Sequence, residues 1–149
     1  MIAEFFQRLT GHTPEAPLPE LDARLALGAL LVRLAKSDHL YSVEEISKID
    51  VILANRYALN PVEAAKMRAT CEKLEAQAPD TQSFTEQVQA GVSHAERLAV
   101  FDTLWQVSMA DGRLRAEEDK VLRFVGTALG LSQEDAAGVA ALHQPRNDA

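Results

Sequence analysis

Residues 98–131 read LAVFDTLWQVSMADGRLRAEEDKVLRFVGTALGL: an apolar helical run, a sharp acidic loop, then a second amphipathic helix. A weaker copy lies upstream. Setting Leu25 on Leu98 gives an offset of 98 − 25 = 73, which also carries Asp38 onto Asp111, Glu44 onto Glu117 and Glu45 onto Glu118. Leu25/Leu98, Ala26/Ala99 and Leu31/Leu104 are identical as well, and Leu27/Val100, Leu34/Val107 and Tyr41/Leu114 agree in apolar type. The helices after the Glu pairs end in Ala58-Leu59-Asn60 and Gly130-Leu131-Ser132, with one residue of slippage. This is the pattern of an internal duplication, in which each copy is a supersecondary unit that buries its apolar face on its neighbour.

Such a unit calls for helices, and the composition agrees. Aromatic residues are only 5% of the chain and Ala and Leu dominate, which favours helix over a β sandwich. A length of 149 residues suits one domain that buries about two thirds of its unfolded surface. The expected fold class is therefore all-α, a compact bundle of seven or eight helices with an internal pseudo-twofold repeat.

In chain order, a short helix is expected over residues 2–9, with Ile2, Phe5, Phe6 and Leu9 on one side as a docking face for the core or for a partner. Pro14, Pro17 and Pro19 make an extended linker, so residues 1–19 stand apart from a helical domain over 20–143. Its repeat halves cover about 20–78 and 93–143, and 144–149 is a polar tail. Helix is expected from Glu20 to about Lys36, apolar on most sides and hence central, with 94–109 as its counterpart. Ser42 with Glu45 and Ser93 with Glu96 have the S-x-x-E spacing of a capping box, and Asn60-Pro61 is a helix restart. Gly112 supplies a positive φ, Gly130 a C-terminal stop and Ser132 a final N-cap.

The formal charge of −7 disfavours a nucleic-acid partner, whose phosphates demand Lys and Arg. The single cysteine, Cys71, permits no intrachain disulfide and reads as a small buried residue. No signal peptide or transmembrane segment is expected, since Arg33 interrupts the most apolar run; the expected location is the cytoplasm. G-x-G-x-x-G, G-x-x-x-x-G-K-[ST], G-x-S-x-G and H-E-x-x-H are all missing, so no catalysis is expected. The four histidines, His12, His39, His94 and His143, are too dispersed to suggest a zinc site.

A loop aspartate followed seven residues later by a first-turn glutamate can turn carboxylate oxygens toward one point, as hard cations require. If the two loops lie on one edge, Asp38, Glu45, Asp111 and Glu118 can pool as a metal site for Ca²⁺, Mg²⁺ or Mn²⁺. The plain alternative is that these acids only cap helix starts and complement the helix dipole. An EF-hand does not fit, because Arg113, Arg115 and Leu122 occupy the third, fifth and twelfth loop positions after Asp111. Trp105 belongs to the core, and Arg113, Arg115, Lys120 and Arg123 to a solvated face with local ion pairs.

The run from Trp105 through Ala110-Asp111-Gly112 to Glu117-Glu118, and the helix ending Ala128-Leu129-Gly130-Leu131-Ser132, resembles the tellurite-resistance protein B-like (TerB-like) family. The likeness covers most of residues 20–142. The first half departs from the pattern, with Ser37-Asp38-His39 in place of Ala-Asp-Gly. The resemblance implies a compact helical fold with twofold pseudosymmetry and a role in tellurite resistance or related stress responses, through metal binding and protein partners in membrane-associated assemblies. A related domain precedes J-domains in some co-chaperones. Two functional expectations follow: a non-enzymatic module that binds a divalent cation or a protein partner through its acidic loops, and a protein-interaction scaffold whose acidic loops are only turns.

Overall fold

The computed structural model describes residues 22–37, 41–77, 80–110, 112 and 114–143. Among these residues the chain is all-α, with seven helices and no strand: α1 (Ala23–Lys36), α2 (Val43–Tyr57), α3 (Pro61–Gln77), α4 (Gln82–Gly91), α5 (His94–Ser108), α6 (Ala116–Ala128) and α7 (Gln133–His143). The expected terminal helix, the Pro-rich linker, the polar tail and both loop aspartates, Asp38 and Asp111, lie outside the described residues.

Helix α1 is the axis of the molecule. Ten of its residues from Leu25 to Ala35 are buried, and it packs against α2, α3, α4, α5 and α6. A helix apolar on every side leaves no face for solvent, so the others assemble around it. Its start is corrected by three residues from Glu20: Asp22 has extended backbone and its carboxylate accepts the Leu25 N–H at 2.8 Å, an N-cap that sets the first turn at Ala23. Arg33, the charge that interrupts the apolar run, emerges near the C-terminus of α1. Its guanidinium donates to the Glu75 carbonyl at 3.0 Å and to Thr81 Oγ1 at 3.3 Å, and lies over the Phe84 ring. Lys36 joins the Glu75 carboxylate at 2.9 Å.

The remaining helix starts follow local chemistry. The capping boxes of Ser42/Glu45 and Ser93/Glu96 are both formed. Asn60 accepts from the Glu63 N–H at 2.8 Å and Glu63 returns the bond at 3.0 Å, while Ser132 accepts from the Asp135 N–H at 3.0 Å. Gly112 and Gly130 have the expected positive φ, 81° and 78°. Ala58 was not anticipated: it takes φ 54°, ψ 49° at the end of α2, where the Leu59 N–H reaches back to the Ala54 carbonyl. The same 6→1 bond closes α6, from Leu131 to Gly126, around Gly130. Among the described residues, no helix is long and apolar enough to cross a membrane.

Candidate functional site at the acidic loops

Glu45 sits in the first turn of α2, and one carboxylate oxygen accepts from the Ser42 hydroxyl at 3.0 Å and the Ser42 N–H at 3.3 Å. Capping accounts for this contact but not for the depth. Glu63 and Glu96 make the equivalent bond to their N-cap backbone and are exposed, whereas Glu45 is only 2% exposed. Glu118, its partner under the 73-residue offset, is 1% exposed in the first turn of α6. There the N-cap residue is Arg115, which makes no side-chain cap bond. The flanking acids turn outward: Glu117 pairs with Lys120 at 3.3 Å and Asp119 with Arg123 at 2.9 Å. Those are the solvated local pairs anticipated for this face. Among the described residues, Glu45 and Glu118 are thus the two first-turn acids that go inside, at a desolvation cost that exposed capping residues never meet.

An open groove of about 510 Å³ shows how the loops are disposed. Glu44, Ser47 and Lys48 from the first turns of α2 form one wall, and Met109 and Ala110, immediately before the second loop, form the other. The described flanks of the two acidic loops therefore share one edge of the molecule. Helices α2 and α6 also both pack on the central pair α1 and α5.

The first loop is anchored on its far side. Burial and the neighbouring Glu72 carboxylate push the Tyr41 phenol well above its usual range. Arg68 holds Asp50 at 2.6 Å and Glu72 at 3.2 Å, tying α2 to α3 beneath it. At Gly112 an added Cβ would meet nothing within 4 Å, so glycine serves backbone conformation there.

One cluster had no sequence signal. His143, at the end of α7 and on the rim of the groove, lies 2.5 Å from Asp102. Asp102 also accepts from the Gln106 amide at 2.7 Å, and the imidazole stacks on Trp105 at 6.2 Å between centroids. The partner is 41 residues away, beyond any spacing rule. Among the described residues, no three His, Cys, Asp or Glu side chains converge as a metal-holding group. Glu45 and Glu118 are thus placed, while the aspartates that complete the expected ligand set are outside the described residues. Cys71 is fully buried and its thiol is pushed up to about 12 by desolvation, which makes it an inert core residue.

The model of the family described as tellurite resistance protein TerB matches residues 24–141 of this chain. Comparison with curated proteins finds no match, and neither does comparison with solved structures.

Proposed function

We propose that this chain, which belongs to the tellurite resistance protein TerB family, is a non-enzymatic cytoplasmic module whose two acidic loops together bind a divalent cation. The reading rests on the burial of Glu45 and Glu118 at the ends of loops whose flanks meet on one edge. A carboxylate taken out of water needs hydrogen bonds or a cation beside it. Oxygen-only donors suit Ca²⁺, Mg²⁺ or Mn²⁺, with Asp38 and Asp111 as the remaining ligands. The test is thermal unfolding of chelator-treated protein with each ion, for wild type, Asp38→Asn/Asp111→Asn and Glu45→Gln/Glu118→Gln. At about 100 times its dissociation constant a cation adds roughly 2.7 kcal/mol, a rise of roughly 5–11 °C for a domain of this size. A shift in wild type that both double variants lose supports the site; no shift with any ion at millimolar concentration refutes it.

A second reading, a protein-interaction module without metal, is favoured by Val51, exposed on the groove wall, and by Val43, exposed at the start of the same helix. It expects cation-independent melting and a partner captured through α2. Membrane-associated assemblies are the proposed setting for that partner.

A further inference from the structure

Helices α2 and α3 pack extensively on each other, but α6 and α7, which follow them in the second half, do not. Both are instead held by α5, and a groove of about 480 Å³ opens between them. Its floor is apolar, made by Phe101, Trp105 and Leu122, and its α7 wall is built of small residues, Ala136, Ala137 and Ala140. The Trp105 indole N–H is buried and has no hydrogen-bond partner among the described residues. The rim carries one opposed pair, Asp119 and Arg123.

We propose that the occupant of this groove is the chain's own N-terminal segment, residues 2–9. Three observations select it over other occupants. The described chain begins close by: a Cβ on Gly91 would lie 2.4 Å from that of Ala23, in the first turn of α1, so α4 ends against the start of α1. Gly130 in turn sits against Gln89 and Arg97, and the next residue, Leu131, lines the groove. The connecting residues 10–21 contain Pro14, Pro17 and Pro19, and at about 3.1 Å per residue a Pro-rich segment spans roughly 37 Å, more than the distance across a small domain. Finally, the segment is chemically matched. Ile2, Phe5, Phe6 and Leu9 fall on one helical face, and Glu4 and Arg8 offer charges for Arg123 and Asp119 at the rim.

The proposal is tested on the full chain by disulfide trapping. Ala3→Cys is paired with Thr127→Cys on the groove rim, and separately with Val51→Cys on the other groove; native Cys71 stays silent because it is fully buried. Tethering gives an effective concentration on the order of a millimolar, so at micromolar protein the Thr127 pair should close within one chain and the Val51 pair should not. Adding Phe5→Ser/Phe6→Ser should slow closure by about tenfold or more as the apolar anchors are lost. Equal closure of both pairs, bridging only between chains, or a rate indifferent to the serine substitutions would overturn the proposal.

Discussion

Gly28 and Cys71 provide the sharpest test of how the first half is packed. An alanine Cβ at position 28 would stand 2.3 Å from Cys71 Sγ and 3.3 Å from Cys71 Cβ. Ordinary contact begins near 3.4 Å, so the sulfur overlaps by 3.4 − 2.3 = 1.1 Å. Neither partner can retreat easily. Cys71 is fully buried, its thiol points at the Leu25 carbonyl at 3.7 Å, and Leu53 closes the other side. In an open helix Gly→Ala gains about 1 kcal/mol, whereas overpacking a core costs about 1–3 kcal/mol. The 1.1 Å overlap at a fully buried contact puts the cost in the upper part of that range, about 2–3 kcal/mol, so Gly28→Ala should lose about 1–2 kcal/mol net, a fall of roughly 2–8 °C in Tm. Cys71→Ala alone should cost about 1 kcal/mol through the small void it leaves. In the double variant the new methyl occupies the space of the lost sulfur, so the two effects should couple favourably by about 1 kcal/mol or more. Urea unfolding followed by circular dichroism, with m unchanged across the four proteins, measures this directly. A Gly28→Ala protein as stable as wild type, or a strictly additive double variant, would refute the packing argument.

Ala58→Gly should stabilise the fold by up to about 1 kcal/mol, because an L-residue at φ 54° is strained in the place where α6 uses Gly130; a lower Tm would contradict this. Ser42→Ala should cost about 1–3 kcal/mol, since it removes a cap and a hydrogen bond to a buried carboxylate, against about 1 kcal/mol for Ser93→Ala beside exposed Glu96. Equal losses in urea titrations would show that the burial of Glu45 carries no extra cost. Cys71 binds its proton more tightly folded than unfolded, so its contribution is complete below about pH 9 and is lost as pH rises toward about 12. Stability should fall over that window by at most about 1.4 kcal/mol per pH unit from this group, and Cys71→Ala should flatten the early part of the decline, before Tyr41 and Tyr57 add losses of the same sign. A thiol reagent at pH 8 should leave native Cys71 unmodified and label it only on unfolding.

The helices were legible in the amino-acid order alone, because their signals are local. Ser42 and Glu45, Asn60 and Glu63, and Ser93 and Glu96 each meet within one turn, and Gly112 and Gly130 mark positive φ where no side chain is strained. The apolar surface of Leu25–Ala35, broken only by Arg33, was enough to place α1 at the centre, since such a helix has nowhere else to go. The spacing of the acids was equally legible, but it marked Glu45 and Glu118 no more deeply than any capping glutamate. Their burial depends on the packing around the helix starts, which spacing within one turn does not encode. His143 on Asp102, Arg33 on Glu75, the shared edge of the two loop flanks and the groove left between α6 and α7 belong to the same class. Each depends on where separately formed helices come to rest, which long-range packing decides and a 3.6-residue period does not encode.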